Sequence, residues 1–337
     1  KMNDNIEGKS VSFAGALGTM LFLIAAMAIQ VFVLKSSWTT HITLIIVISV
    51  ASVVALVNKF TWAEVQDGIL YGCNLAMLPM LILMLVGMLI ATWIASGTIP
   101  TLIYYGIKLL TPKFFLFSAC LICCFGSIAT GSSWTTAATF GVAFMGIGMG
   151  LGISPAMTAG AVISGSIFGD KMSPLSDSTN LAAGVAEADL FDHIRSMVYS
   201  TGPAIVLTLV IYFILGFTSD SNLAVDPKKI DTMLNGLKDN YNLSVITLLP
   251  PVLVVVLAMR KVGGLAVMVI ASIFGALLAM VLQGYSIADM LGFMNYGFVS
   301  EVGIAEVDKL LSRGGLQKMM WTVSLGFIAL AMGGLFE

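Results

Sequence analysis

The hydrophobic and polar positions of this chain form long blocks. Apolar runs without any Asp, Glu, Lys or Arg alternate with short polar segments. A helix needs about 20 residues of this kind to cross a hydrocarbon layer of roughly 30 Å. Runs close to that length are predicted to be transmembrane helices, and they are Val11–Leu34, Thr40–Val57, Asn74–Ser96, Met197–Phe217, Leu243–Met259, Val262–Gln283 and Met319–Phe336. The pattern predicts an all-α polytopic membrane protein.

Two further apolar segments do not fit a simple span. Phe114–Ile153 is too long for one crossing, and Gly131, Ser132 and Ser133 interrupt it. Its two arms could form a re-entrant hairpin or two tight spans. Pro155–Gly184 begins apolar and is broken in its middle. The segment Gly97–Pro112 is short and is predicted to lie along the interface.

Composition agrees with this class. Hydrophobic residues make up 58% of the chain and charged residues 10%, whereas a soluble domain carries about 25% charged residues. The net charge of −2 comes without a basic face, so no nucleic-acid partner is expected. Two histidines, and four cysteines that all lie in apolar runs, argue against a zinc enzyme. No cofactor is expected.

The segment after Phe168 breaks the pattern most sharply, because Asp170, Lys171 and Asp177 end a run of 56 residues without a charge. Gly169 and Pro174 both oppose an unbroken helix. Pro155–Phe168 would then be a half-helix of about 21 Å, too short to cross. Irregular backbone at membrane depth persists only inside protein or beside water. A broken helix over 155–186 is therefore predicted, and a solvent-exposed interfacial loop is the alternative.

This break is rich in oxygen atoms, which hard cations prefer as ligands. A buried carboxylate has its pKa raised by desolvation and lowered by a nearby cation, so it can hold a proton or Na⁺ in competition. Lys171 is the candidate charge partner. The candidate cation- and proton-binding residues of this break, which would also hold the Na⁺ ion, are Asp170, Asp177, Ser173, Ser176, Thr179 and Asn180.

The interruption inside Phe114–Ile153 supplies further hydroxyl groups. Ser132, Ser133, Thr135 and Thr136 cluster beside Gly131. They are predicted to form a hairpin tip that faces the first break and adds ligands to the same cation. Packing of small residues between helices is the alternative interpretation.

A weak internal repeat relates the two parts of the chain. Phe60–Glu64 followed by Tyr71-Gly72 matches Tyr285–Asp289 followed by Tyr296-Gly297 at an offset of 225 residues. An odd number of predicted crossings separates the copies, which implies inverted topology. The predicted domains are a first repeat over 1–217 with its hairpin at 114–153, a polar inter-repeat loop over 218–242, and a second repeat over 243–337. The second repeat is expected to be incomplete, because it lacks a counterpart of Phe114–Phe217.

These motifs resemble the NhaC family of Na⁺/H⁺ antiporters. The likeness rests on the block Gly169–Asn180, on Thr130–Thr135 and on Gly303–Gly315, and it extends over nearly the whole chain. The resemblance implies two inverted repeats, each with a re-entrant hairpin and a broken helix, cation sites at hairpin tips and helix breaks, and elevator-like movement. Family members continue past Glu337, so a second hairpin and a second broken helix are expected beyond it.

The expected function is secondary active exchange of Na⁺ for H⁺ across the cytoplasmic membrane by a multi-pass transporter. Its expected partners are membrane lipid, Na⁺ and H⁺, and a homodimer is one assembly left open. The alternative is a Na⁺/H⁺-coupled exchanger of a small organic acid such as malate or lactate. No Arg lies in a charge-free run where it could bind the carboxylate of such an acid, which favours exchange of cations alone. A passive channel is another class. An intramembrane aspartyl protease is disfavoured. Such an enzyme usually has a glycine at the position that Ile167 occupies here, two residues before Gly169, and it needs a second catalytic Asp on another helix. Only Asp177 is available as a second Asp.

The remaining charged segments are predicted to be exposed to solvent. Glu301–Lys318 carries mixed charges and is predicted to be an amphipathic, solvated helix.

Overall fold

A computed structural model of the chain describes residues 11–35, 40–174, 176, 178–179, 182–183, 188–218, 227–260 and 262–337. Helices dominate these residues, and no strand occurs among them. In chain order the helices are α1 (Phe13–Ala28, continued by a π-helix over Ile29–Val33), α2 (Thr40–Val57), α3 (Trp62–Ala95), α4 (Thr98–Leu109), α5 (Pro112–Thr130), α6 (Ser133–Thr136, continued by a π-helix over Ala137–Gly141), α7 (Val142–Gly150), α8 (Pro155–Met172), α9 (Leu190–Thr218), α10 (Pro227–Asn240), α11 (Leu249–Met259, preceded by a 3-10 turn over Val245–Leu248), α12 (Gly264–Gln283), α13 (Ile287–Tyr296), α14 (Ala305–Leu311) and α15 (Leu316–Phe336).

Seven helices in the described part of the chain are long and apolar enough to cross a membrane. They are Phe13–Val33, Thr40–Val57, Trp62–Ala95, Pro112–Thr130, Leu190–Thr218, Gly264–Gln283 and Leu316–Phe336. The predicted all-α polytopic membrane protein is thereby confirmed. The predicted span Leu243–Met259 is instead a 3-10 turn followed by α11, and it bends by 99° from α10.

The segments matched in the predicted repeat begin their helices in the same way. Before α3, the Thr61 amide donates to Glu64 Oε2 (2.7 Å) and the Glu64 amide to Thr61 Oγ1 (3.3 Å). Before α13, Ser286 and Asp289 exchange the equivalent bonds (2.9 and 3.2 Å). Both pairs are capping boxes, which satisfy amides that a helix start leaves without partners. The repeat and its inverted topology stay predictions.

The two matched helices end differently. Residue Gly72 lies inside α3, which runs on to Ala95, whereas α13 stops at Tyr296 because Gly297 adopts a φ of +96°. The helix α15 begins further along the chain, at Leu316. If the predicted repeat holds, α13 and α15 together correspond to α3, with an insertion between them.

The chain separates into two compact units. One comprises Lys1–Met84 with Met319–Glu337, and the other comprises Leu85–Lys318. The division into units rests on contacts in space, whereas the repeat boundaries rest on sequence similarity. The units therefore do not test the repeat boundaries, which stay predictions. Within the first unit, a Cβ atom on Gly72 would overlap the Leu330 carbonyl group. Glycine therefore lets the backbones of α3 and α15 approach closely.

The second unit holds the buried core. Phe115, Leu116, Cys120 and Cys123 of α5 are almost fully buried. The buried cysteines pack as small apolar residues. Proline stands at the first position of both α5 and α8, where its missing N–H costs nothing.

The polar segment 218–242 contains a helix that was predicted as loop. In α10, Met233 and Leu237 lie four residues apart and are buried in the core of the second unit, and Tyr241 follows them. Side chains with that spacing share one helix face. Residues 219–226 lie outside the described part of the chain.

The predicted amphipathic helix over Glu301–Lys318 is wrong in extent. Within this segment, Ala305–Leu311 is helical and α15 begins at Leu316, and the chain around them turns at Gly303, Gly314 and Gly315, which all have positive φ. Val307 and Leu311 are fully buried. Glycine-based turns, rather than a continuous helical face, shape this segment.

Asp308 holds this segment together. Its carboxylate accepts hydrogen bonds from Ser300 Oγ (2.8 Å), the Val302 amide (2.7 Å) and the Gly303 amide (3.0 Å). Desolvation alone would raise the pKa of Asp308, but the hydrogen bonds from Ser300, Val302 and Gly303 outweigh it, and the pKa is lowered. The carboxylate therefore acts as the fixed centre of a turn.

Candidate functional site

The helix that carries Asp170 ends later than the sequence suggested. The helix α8 continues through Gly169 and Asp170 to Met172, a length of 18 residues or about 27 Å. The next residue, Ser173, is extended (φ −87°, ψ 127°). Since Ser173 precedes Pro174, its α conformation is disfavoured by the proline ring. Pro174 therefore coincides with the helix end, and Gly169 does not break the helix.

Gly169 serves close packing instead. A Cβ atom there would overlap the Cys124 carbonyl oxygen and lie 2.5 Å from Ser127 Cβ. One turn earlier, a Cβ atom on Gly165 would overlap the Cys120 carbonyl oxygen. Two glycines four residues apart thus form a groove in α8 that receives α5. This packing sets the position of Asp170, which follows Gly169.

The second break forms a hairpin. Gly131 ends α5 in the left-handed region (φ 66°), and the extended Ser132 caps α6 through its hydroxyl group, which accepts a hydrogen bond from the Thr135 amide (3.2 Å). The second arm folds back against the first, because a Cβ atom on Gly126 would meet the ring of Phe140. The turn predicted at Gly131–Ser133 is therefore present in the structure.

The hairpin tip and the end of α8 meet at one hydrogen bond. Ser133 Oγ donates to Asp170 Oδ2 over 3.1 Å. Both residues are half-buried. Within the described residues, no other hydrogen bond reaches this carboxylate, so most of its capacity to accept hydrogen bonds or bind a cation is unused. The contact brings together two of the sequence-predicted site residues.

Hydroxyl groups fasten the hairpin to α8 around this contact. Ser127 Oγ donates to the Ser166 carbonyl oxygen (2.6 Å), and Ser173 Oγ donates to the Ile128 carbonyl oxygen (2.7 Å). Ser127 was absent from the predicted site. Its position one turn before Gly131, on the face of α5 that carries Cys120 and Cys124, was the available signal.

Beyond the break, the chain folds back over the end of α8. Thr179 Oγ1 lies within hydrogen-bonding distance of the carbonyl oxygens of Asp170 (3.1 Å) and Lys171 (3.3 Å). Ser176 Oγ lies 3.0 Å from Ser178 Oγ and accepts a hydrogen bond from the Thr179 amide (3.4 Å). The predicted residue Thr179 therefore caps the C-terminal end of α8, and Ser176 holds the segment that carries Thr179.

Other predicted residues have different positions. The hydroxyl group of Thr136 pairs with that of Thr130 (3.0 Å) inside the hairpin. Thr135 is buried, and its Oγ1 lies near the start of α12, 3.7 Å from where a Cβ atom on Gly264 would be. Lys171 is half-buried and forms no ion pair with a described carboxylate. Asp177 and Asn180 lie outside the described residues.

The contact brings two oxygen donors together. Asp170 and Ser133 offer a carboxylate and a hydroxyl group at one point, and oxygen ligands of this kind suit Na⁺. A carboxylate can also hold a proton in place of a cation. Among the described residues, no group of three or more His, Cys, Asp and Glu side chains could hold a metal ion.

Comparison with known proteins identifies the family of the chain. The model of the Na⁺/H⁺ antiporter family matches residues 6–179 and 165–337. The Na⁺/H⁺ antiporter NhaC of Alkalihalophilus pseudofirmus is 42% identical over 323 residues, which cover 95% of this chain and 69% of that protein. NhaC of Bacillus subtilis is 38% identical over 330 residues, which cover 98% of this chain and 72% of that protein.

A third relative has a different printed activity. The malate-2H⁺/Na⁺-lactate antiporter of Bacillus subtilis is 38% identical over 278 residues, which cover 82% of this chain and 59% of that protein. No solved structure matches the chain. The matching relatives are antiporters, which favours transport over the protease alternative. The chain belongs to the Na⁺/H⁺ antiporter family, with the NhaC proteins among its relatives.

Proposed function

We propose that this protein exchanges Na⁺ for H⁺ across the cell membrane by alternating access. The observation that carries the proposal is the hydrogen bond from Ser133 to Asp170, which joins the hairpin tip to the last turn of α8. It places a carboxylate with unused acceptor capacity between two elements of one buried core. Membership of an antiporter family supports the same function.

The exchange follows from competition at one carboxylate. When Asp170 is ionised, its oxygens and the Ser133 hydroxyl oxygen can coordinate Na⁺. When a proton occupies the carboxylate, the charge that attracts Na⁺ is removed. A site that carries either ion across, but not both together, couples the two flows. Asp177 remains a predicted second carboxylate, and Lys171 a predicted charge partner.

The test uses proteoliposomes that enclose a pH-sensitive dye. Na⁺, K⁺, malate and lactate are added in turn to the outside, and the internal pH is followed. We expect Na⁺ alone to raise or lower the internal pH according to its gradient, with little response to K⁺. If Na⁺ alone gives no response while malate with lactate does, organic-acid exchange replaces the proposal.

The same assay separates an exchanger from a channel. A passive channel needs no proton-binding carboxylate, so Asp170→Asn and Asp177→Asn would leave Na⁺ conduction intact. We expect each variant to lose Na⁺-dependent proton movement. Full exchange in both variants would contradict the site, whereas exchange lost in only one would identify the carboxylate that matters.

A further inference from the structure

A cavity of about 240 Å³, open on one side, lies in the second unit, and its lining residue Ala137 follows Ser133 by one helical turn. Its walls come from α3, from the second arm of the hairpin and from α8, and they are apolar, with Ile90, Val142, Ala159, Val162 and Ile163 among them. Among the described residues that line it, Arg313 is the single charged one. A space with apolar walls and one fixed charge is typical of a small-ligand site.

The backbone on either side of Arg313 is firmly held. The Arg313 carbonyl oxygen accepts a hydrogen bond from the Phe298 amide (3.0 Å). The Gly315 amide donates to the Gly87 carbonyl oxygen of α3 (2.6 Å), and a Cβ atom on Gly314 would come within 2.5 Å of the Ala91 amide nitrogen. Because residues 314 and 315 are glycines, this segment can pack closely against α3. That packing places Arg313 beside the cavity.

Among the described side chains, none is a counter-ion for the guanidinium group of Arg313. Within the described part of the chain, its side chain makes one hydrogen bond, from Nη2 to the thioether sulfur of Met149 (3.1 Å), and no ion pair. A thioether is a weak acceptor, whereas a guanidinium has five N–H donors and keeps its charge. A half-buried charge beside apolar walls is costly unless an anion meets it.

We propose that this cavity binds a small monocarboxylate with an apolar tail, whose carboxylate pairs with Arg313. The planar guanidinium can donate two parallel hydrogen bonds to a carboxylate. The volume corresponds to about eight water molecules, so a short tail fills it. A dicarboxylate is disfavoured, because its second charge would meet only apolar walls. This inference does not depend on which ions the protein exchanges.

Equilibrium binding of radiolabelled hexanoate to the purified protein tests the proposal. We expect Arg313→Gln to weaken binding by at least about tenfold, the equivalent of one lost charged hydrogen bond. Arg313→Lys, which keeps the charge but loses the bidentate geometry, should be intermediate. The matched control is Lys309→Gln, which removes the same charge from an exposed residue of α14 and should leave binding unchanged.

A second pair of variants covers the case in which Arg313→Gln does not fold. Ala159→Leu fills the cavity and keeps Arg313, so it should abolish hexanoate binding. Ala156→Leu adds the same atoms at an exposed position of α8 and should bind as the unaltered protein does. Binding that survives both Ala159→Leu and Arg313→Gln would overturn the proposal.

Competing probes define the ligand chemistry. Adipate, which has a second carboxylate, and hexanol, which has none, should compete with hexanoate at least about tenfold more weakly. Equal competition by adipate would overturn the apolar-tail assignment. Nanodiscs with and without phosphatidylglycerol separate a free carboxylate from a lipid phosphate. If only phosphatidylglycerol responds to Arg313→Gln, the ligand is lipid and the monocarboxylate proposal is wrong.

Discussion

Asp170 and Asp308 are two carboxylates of the same compact unit with opposite surroundings. Asp308 accepts three hydrogen bonds, from one hydroxyl group and two amides, and it organises a turn. From the described part of the chain, Asp170 accepts one, from the Ser133 hydroxyl group, at the junction of two helical elements. A carboxylate whose acceptor sites are filled by the fold is structural, whereas one with vacant acceptor sites can exchange ligands. Both side chains carry the same charge, so charge does not distinguish the two roles. The number of hydrogen-bond donors around each carboxylate does.

The largest expected effect is the difference in exchange activity between removing the charge of Asp170 and removing that of Asp308. We expect Asp170→Asn to reduce Na⁺-dependent proton movement to the level of protein-free vesicles, because an amide binds neither a proton nor Na⁺ as a carboxylate does. Asp308→Asn should retain exchange per folded molecule. The measurement is dye-reported exchange, normalised to the monodisperse protein recovered. Equal losses in the two variants would remove the distinction between the carboxylates.

The next effect concerns the glycine beside each carboxylate. Gly169→Val should destabilise the protein by about 3 kcal/mol or more, since its Cβ atom would overlap backbone that cannot move aside. Gly303→Ala adds no clash but strains a φ of +81°, which costs about 1–2 kcal/mol. Thermal unfolding in detergent compares them. Gly292→Ala, in open space on α13, is the control, and a smaller effect at Gly169 than at Gly303 would contradict the packing argument.

A smaller effect is expected for the stability that Asp308 provides. Loss of hydrogen bonds to a charged group costs about 1.5–3 kcal/mol, so Asp308→Asn should unfold at lower temperature near neutral pH. Since folding lowers the pKa of Asp308 from its ordinary 3.8, its contribution is present above that value and is lost as the pH falls through the lowered pKa.

The pH dependence provides the check on this stability prediction. The difference in unfolding temperature between Asp308→Asn and the unaltered protein should therefore shrink in acid. Asp67→Asn, at an exposed acid, should show little difference at any pH. A difference for Asp308→Asn that persists unchanged into strong acid would refute the assigned cause.

The smallest expected effect lies in the single donor to Asp170. Ser133→Ala should weaken the apparent affinity for Na⁺ by about two- to tenfold, since one hydrogen bond contributes about 0.5–1.5 kcal/mol. Ser133→Thr, which keeps a hydroxyl group, should recover most of it. Ser300→Ala removes a donor from Asp308 instead and should leave Na⁺ dependence unchanged. The Na⁺ concentration at half-maximal exchange is the measurement.

Much of the architecture was predictable from local pattern. Charge-free runs identify spans because the bilayer excludes charge, and the break at Gly131 was readable because glycine beside hydroxyl residues ends a helix there. The predicted end of α8 was wrong because a glycine such as Gly169 can either break a helix or allow close packing. Only its contact with the backbone of α5 shows that it serves packing. The helix α10 was missed although Met233 and Leu237 show its spacing.

Arg313 could not be assigned from sequence. Its neighbours include many charged residues, which favoured a solvated segment. Its place beside an apolar cavity depends on Gly314 and Gly315 approaching α3, more than two hundred residues earlier in the chain. That contact is non-local, so no periodicity along the segment contains it. The pairing of Ser133 with Asp170 was different, because both lie at breaks that flank adjoining helices.

The glycine groove between α5 and α8 also restricts how the protein can move. Gly165 and Gly169 fit against the Cys120 and Cys124 carbonyl groups so closely that a Cβ atom would collide at either position. Sliding one helix along the other would bring larger side chains against the same backbone. We therefore expect the first arm of the hairpin and α8 to move together as one body when access alternates between the two sides of the membrane, with Ser133 and Asp170 kept in contact.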